Sequence, residues 1–384
     1  MTHKHSSPFP FTPQMDSELQ DLSSKPQSPS HQDQDHRPLL TPTDTKSSPT
    51  IEELEKKYAA YVRHDVYGTM GRGELPWTEK LLLGLAFVTL VPMRVVLATW
   101  VVVVYYLICR ACTLFMAPNQ EDEQEDYAHI GGWRRSVLYW SGRVLARAML
   151  FAFGFYWIQE IDASLDNQVD CNDKSEELER PGVIISNHVS HMDILYHMSS
   201  SFPSFVAKRS VGKLPLVGLI SKCLGCVYVQ RESKSSDTKG VSAVVNERIQ
   251  TAHRDKSAPM MMLFPEGTTT NGDYILPFKT GAFLAKAPVL PVILKYPYER
   301  FSPAWDSISG VRHVILLLCQ FVNYMTVIRL PVYYPSQEEK DNPKLFAENV
   351  RRLMAHEGKL IMSDIGLAEK RVYHAALNGL LCQV

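Results

Sequence analysis

The chain has 384 residues, 45% of them apolar, and a formal net charge of −1. That length suits one main folded domain with appendages. The balanced charge excludes a nucleic-acid binder, which needs a concentrated basic surface, so an anionic substrate must be met by a few placed cations. Seven cysteines, an odd number without regular spacing, exclude a disulfide framework and point to a reducing compartment.

Residues 1–49 are rich in Ser, Pro, Asp and Gln and carry no hydrophobic period. They read as a disordered tail, because such a segment buries too little apolar area to offset its conformational entropy. Its Ser-Pro and Thr-Pro pairs (Ser7, Thr12, Ser28, Thr41, Ser48) fit proline-directed phosphorylation or plain chance in a solvated tail. No apolar stretch marks a cleavable signal near Met1. Residues 50–80 are expected to hold a short amphipathic helix and a linker. Thr50 and Glu53 form a capping box, and Ile51, Leu54 and Tyr58 share a face.

Residues 81–158 read as membrane-anchoring helical segments. The run 81–109 is broken only by Pro92 and Arg94. Two readings fit it: a tilted span over 87–108 with Arg94 snorkelling to an interface, or a re-entrant hairpin folded at Pro92 and Arg94 whose arms fall short of the roughly 20 residues a span requires. After an acidic linker at 120–126, the stretch 133–158 mixes aromatics with Arg134, Arg135, Arg143 and Arg147. It suits a helix in the membrane interface or docked beside the first.

Residues 159–180 form an acidic loop without the ligand spacing of a calcium site, so no EF-hand is expected. The pairs Cys109/Cys112 and Cys223/Cys226 lie much farther apart than the roughly 15–20 residues of a zinc ribbon. Buried thiols, with no metal site, are the expectation.

From 181 to 384 short β-rich runs (183–186, 226–230, 260–264, 289–294, 327–333) alternate with amphipathic stretches, which predicts an α/β domain with a central sheet flanked by helices. Asn342-Pro343 should open a closing helix bearing Phe346, Val350 and Leu353 and stopped at Gly358.

The first strand runs into Asn187-His188-Val189-Ser190-His191-Met192-Asp193. On one straight helix His188 and Asp193 would point about 140° apart, so the chain must turn between them. Ser190 offers that break as an N-cap, leaving His188 in the loop and Asp193 in the first helical turn. The carboxylate can then fix the imidazole tautomer and stabilise its protonated form. A plain capping box with an inconsequential histidine fits the same residues. His191, beside them at the wrong spacing, suits a structural role. Three further strand ends converge on this region: Gly225 to Arg231, the Phe264-Pro265-Glu266-Gly267-Thr268 turn, and Val289-Leu290-Pro291-Val292.

The order His-x4-Asp, Gly-x-x-aromatic-x-x-Arg, Phe-Pro-Glu-Gly-Thr and a Pro-Val strand resembles the four blocks of the glycerolipid acyltransferase family. Within it, residues 205–215 (FVAKRSVGKLP) and 267–272 (GTTTNG) look closest to the lysophosphatidylethanolamine acyltransferases of plants. The resemblance implies the fold of that family, a mixed sheet flanked by helices, and an acyl-CoA-dependent acylation of lysophospholipids at an endoplasmic reticulum membrane. The catalytic domain would face the cytosol. Acyl-CoA would be a co-substrate and no cofactor would be needed.

It also implies roles. His188 would be the general base and Asp193 its orienting partner. Arg231 would hold the lysophospholipid phosphate, since guanidinium matches phosphate oxygens bidentately. Glu266 would accept from Arg231 or the acceptor hydroxyls, Gly267 would allow close backbone approach, and Thr268 would donate to phosphate or cap the next segment. Pro291 would shape the site, and Lys208 and Lys279 would be secondary phosphate ligands. A lysophosphatidate or glycerol-3-phosphate acyltransferase would share all four blocks. A catalytically inactive lipid-binding membrane scaffold would also retain the fold.

Overall fold

The structure, a computed structural model, describes residues 50–121, 124–163, 180–229, 236–305 and 310–381. The N-terminal tail with its phosphorylation candidates, most of the acidic loop, and Arg231 lie outside them. The helices are α1 (Ile51–Lys57), α2 (Trp77–Cys112), α3 (Gly132–Ala152), α4 (Met192–Ser200), α5 (Val217–Cys223), α6 (Ser236–Arg254), α7 (Gly310–Cys319), α8 (Gln337–Asp341), α9 (Pro343–Gly358) and α10 (Leu367–Leu381). The strands are β1 (Asn119–Glu121), β2 (Gln124–Asp126), β3 (Ile158–Asp162), β4 (Val183–Ser186), β5 (Ser204–Lys208), β6 (Val227–Val229), β7 (Met261–Leu263), β8 (Tyr274–Ile275), β9 (Val289–Lys295), β10 (Met325–Arg329) and β11 (Ile361–Met362).

Seven strands make the central sheet in the order β3-β10-β9-β4-β7-β5-β6. From β9 to β6 neighbours are parallel, and β10 turns antiparallel to β9 while running parallel to β3. The sheet is therefore mixed, as the resemblance implies, and flanked by helices, as the alternating texture predicts. The central strand β4 is buried throughout, as helices on both faces require. Its period-two alternation divides the core. Ile184 joins Met262, Val292 and Leu294 beneath the side that carries α2, α3 and α4. Val183 and Ile185 join Met261, Val289 and Ile293 against Ile249 of α6 and Phe346, Val350 and Met354 of α9.

Strands β4, β6, β7 and β9 fall where the sequence places them. β10 starts earlier than expected and stops before Pro331, which has no N–H to extend the ladder. β3 was expected as the end of a membrane helix and the start of the acidic loop. It is an edge strand whose middle residues are exposed, so it carries no apolar alternation to reveal it. The acidic linker is a two-stranded ladder of β1 and β2. The capping box of α1 forms as predicted, although Ile51 stays exposed while Leu54 and Tyr58 are buried. Asn342 caps α9 through the Lys344 and Leu345 amides. That helix does not close the chain, because α10 follows it.

The apolar run forms a single helix, α2, of 36 residues, about 54 Å long at roughly 1.5 Å per residue. Pro92 lies inside it, so the hairpin reading fails. Arg94 does not snorkel either. Its guanidinium is buried and donates to the Leu318 and Phe321 carbonyls (2.8 and 2.9 Å), to the Gln320 carbonyl and to the Tyr156 hydroxyl. The physical reason is local: the end of α7 leaves carbonyls without intrahelical donors, and Arg94 supplies them.

Val91, Arg94, Val101, Tyr105, Cys109 and Cys112 form the buried stripe of α2, packed on α3, α5 and α7. Its opposite face (Leu82, Leu85, Val88, Val96 and Trp100 among others) is exposed, as are Trp133, Trp140 and Phe151 of α3. Of the two placements expected for the second segment, α3 packs along α2, and it ends at Ala152. Among the described residues α2 is the one helix long and apolar enough to cross a membrane. Cys109, Cys112, Cys223, Cys226 and Cys319 are buried free thiols.

Candidate active site

Beyond β4 the chain must leave the sheet and reverse into α4. Asn187 begins the turn. Its side chain donates to the Leu294 carbonyl (2.9 Å) and accepts from the Leu294 amide (2.8 Å), so it extends the β4–β9 ladder by one side-chain rung. His188 follows in the loop and Asp193 lies in the first turn of α4, as the Ser190 break predicts. The helix begins one residue later than a cap at Ser190 would place it, at Met192.

Asp193 is fully buried. Its Oδ2 accepts from His188 Nδ1 (2.8 Å), from the Val189 amide (2.8 Å) and from the Ser190 amide (3.0 Å). Its Oδ1 accepts a hydrogen bond from the Tyr296 hydroxyl, just past the end of β9. An ionised carboxylate only accepts, so Nδ1 carries the proton and Nε2 is left as the base. The imidazole stacks on Phe264 with centroids 4.1 Å apart, and its side chain remains 21% exposed. It can therefore meet a substrate without losing its orientation.

Glu266 is placed differently from the expectation. It is buried, and both oxygens are taken by backbone: Oε1 accepts the His188 amide (2.7 Å) and Oε2 the Leu276 amide (2.9 Å). It braces the His188 loop from behind and is absent from the cavity lining. Burial pushes its carboxyl up to about 8, against the two amides, which favour the ionised form.

Gly267 sits at φ +72°, and a Cβ there would lie 2.6 Å from the Lys279 ammonium. The absent side chain is what lets that cation close over the turn.

His188 lines a cavity of about 880 Å³. Its polar lining includes His188, Lys208, Thr268, Lys279 and Lys370, with Gly267 among them. Its apolar lining comes largely from α2, α3 and α4, with Val101, Tyr105, Leu145, Met149, Leu195 and Met198. Thus His188, Gly267, Thr268, Lys208 and Lys279 come together around one cavity. Asp193 stands directly behind His188. Pro291 lies in β9, beside Ile185 of β4.

Three features escaped the sequence reading. Tyr296 is one. A second is Lys370 of α10, whose ammonium bonds the Thr269 carbonyl and hydroxyl, both at 2.8 Å. A third is Asn271, which holds the 267–272 turn to the carbonyls of Ala59, Ala60 and Val62. His191 sits in an aromatic cluster. It packs edge-on to Trp305 and His313, and burial lowers it to about 4.

A histidine held by a buried carboxylate, at the C-terminal edge of parallel strands and in the lining of a largely apolar cavity, suits transfer of a fatty acyl group. A family model described as Acyltransferase matches residues 168–295. The lysophospholipid acyltransferase LPEAT1 of Arabidopsis thaliana is 62% identical over 96% of this chain and 98% of its own length. The chain belongs to the lysophospholipid acyltransferase family. LPEAT2 of the same plant is 31% identical over 64% of this chain and 42% of its own length, so the chain spans less than half of that relative. Among solved structures, the 1-acyl-sn-glycerophosphate acyltransferase PlsC of Thermotoga maritima aligns at 17% identity with a TM-score of 0.43, covering 75% of this chain and 99% of that one.

Proposed function

We propose that this membrane-associated acyltransferase moves a fatty acyl group from coenzyme A to the free glycerol hydroxyl of a lysophospholipid, with lysophosphatidylethanolamine the preferred acceptor and phosphatidylethanolamine the product. The observation that carries the reading is the 2.8 Å His188–Asp193 contact, with His188 lining a largely apolar cavity.

His188 Nε2 takes the hydroxyl proton as the acceptor oxygen attacks the thioester carbon, and Asp193 stabilises the imidazolium that forms. The tetrahedral intermediate collapses with loss of the coenzyme A thiolate, which takes the proton back from His188. The products are an ester and a free thiol, so neither a covalent acyl-enzyme nor a cofactor is required. Lys208 and Lys279, with Arg231 as a further cation, suit the phosphate groups, and Thr268 is a neutral donor beside them. The apolar lining of the cavity suits an acyl chain, and the cavity's volume falls within the roughly 300–1,000 Å³ of small-ligand sites.

The seating of α2 supports an enzyme working from one leaflet. Its buried stripe, from Val91 to Cys112, lies against α3, α5 and α7 for roughly 32 Å at 1.5 Å per residue. That is as long as the hydrocarbon core is thick, roughly 30 Å, so a helix so flanked suits immersion beside α3 better than a free crossing. The cytosolic leaflet of the endoplasmic reticulum, next to the acyl-CoA pool, fits this arrangement.

Membranes bearing the protein, incubated with labelled acyl-CoA and a panel of lysophosphatidylethanolamine, lysophosphatidylcholine, lysophosphatidate and glycerol 3-phosphate, test the reading. The highest turnover should come with lysophosphatidylethanolamine. Preference for lysophosphatidate would overturn the head group, and no transfer to any acceptor would overturn the activity.

A further inference from the structure

Asp193 divides its two oxygens sharply. Oδ2 serves His188 Nδ1 and the two amides of the turn, whereas Oδ1 takes the Tyr296 hydroxyl. We propose that Tyr296 is a positioning residue for acyl transfer, its hydroxyl fixing the rotation of the Asp193 carboxylate so that Oδ2 stays on His188. This rests on the reading of His188 as the general base.

The geometry leaves the phenol little other use. Tyr296 follows β9 directly, and its ring packs edge-on to Phe155 at 5.9 Å, in the interior. Without the hydroxyl, Oδ1 would be a buried carboxylate oxygen deprived of a charge-assisted donor. The carboxylate would then gain by turning, and any turn draws Oδ2 away from the imidazole. Burial and the neighbouring carboxylate both push the phenol well above its ordinary range, so it remains a donor throughout the working pH. Because Tyr296 lies behind Asp193 and is absent from the cavity lining, its effect should reach the rate and not substrate binding.

The test is Tyr296→Phe, which keeps the ring and its volume, measured in membranes with acyl-CoA and lysophosphatidylethanolamine. The expected kcat is about tenfold lower, with both KM values within about twofold of the parent, since a group that acts only in the transition state lowers kcat alone. The same change is then made on an Asp193→Asn background. There the factor should shrink to below about threefold, because coupled neighbours are non-additive.

Unchanged kcat in Tyr296→Phe, a loss confined to KM, or an equal factor in both backgrounds would overturn the positioning role. If the parent itself shows no transfer that His188→Ala abolishes, the underlying reading of the site fails instead.

Discussion

Replacing Asp193 by Asn gives a sharp test of the site, because the surrounding donors dictate how the amide must sit. Oδ2 faces three N–H groups and Oδ1 one hydroxyl. An amide NH₂ turned toward Val189 and Ser190 would oppose two backbone donors. The amide oxygen therefore takes the Oδ2 position, the NH₂ takes the Oδ1 position, and the Tyr296 hydroxyl rotates to accept. His188 keeps its tautomer and loses only the opposing charge.

Two unit charges about 4 Å apart interact by about 4 kcal/mol at an effective dielectric of 20. The 21% exposure of His188 brings water that weakens this to about 2–3 kcal/mol, a loss of roughly 30- to 200-fold in kcat. Where an amide instead presents its NH₂ to the histidine and reverses the tautomer, losses reach about 10⁴-fold. Release of coenzyme A thiol, followed with a chromogenic thiol reagent at saturating substrates, measures the factor. A kcat within twofold of the parent would refute the charge role. A loss near 10⁴-fold would refute the orientation argued from Val189 and Ser190.

Two other outcomes follow from the same geometry. Gly267→Ala places a Cβ against the Lys279 ammonium at a positive φ, at a backbone cost of roughly 1–2 kcal/mol. The displaced cation should raise the KM for lysophospholipid several-fold more than it lowers kcat, and steady-state kinetics with unchanged KM would contradict this. Acid should destabilise the fold through His197, which burial holds near 4. A group with a lowered folded pKa contributes stability above its unfolded value, about 6.5, and loses it as pH falls through the folded value. At about 1.4 kcal/mol per unit, roughly 3 kcal/mol is at stake between pH 6.5 and 4. Melting in detergent across that range should fall less steeply in His197→Gln than in the parent, and parallel curves would refute the assignment.

What could be read from the sequence was local, and what could not was a matter of partners. The strands β4, β7 and β9 are short apolar runs bounded by turn residues, so composition alone marks them. The bend between His188 and Asp193 was legible because Ser190 and the five-residue spacing leave few other ways to join them.

The amide partners of Glu266 were hidden because nothing in Phe-Pro-Glu-Gly-Thr says whether its carboxylate looks at substrate or at the amides of His188 and Leu276. Arg94 reads as a snorkelling cation because its three carbonyl acceptors lie more than 220 residues away, at the end of α7. Tyr296 stands 103 residues from Asp193, and only the β4–β9 pairing brings it there. β3 was hidden because an exposed edge strand next to an acidic loop has no apolar period. Chemistry carried by contiguous residues was therefore visible in advance, and chemistry carried by the sheet was not.

The most direct measurement compares the parent with His188→Ala in membranes given labelled acyl-CoA and lysophosphatidylethanolamine, scoring phospholipid, free thiol and acylated protein together. General-base transfer requires phospholipid and thiol in equal amounts from the parent, no acyl-protein on rapid quench, and a loss of at least about 10³-fold in the variant. Transfer that survives in His188→Ala, or a labelled acyl-protein that forms and decays at the rate of turnover, would contradict direct attack by the acceptor hydroxyl.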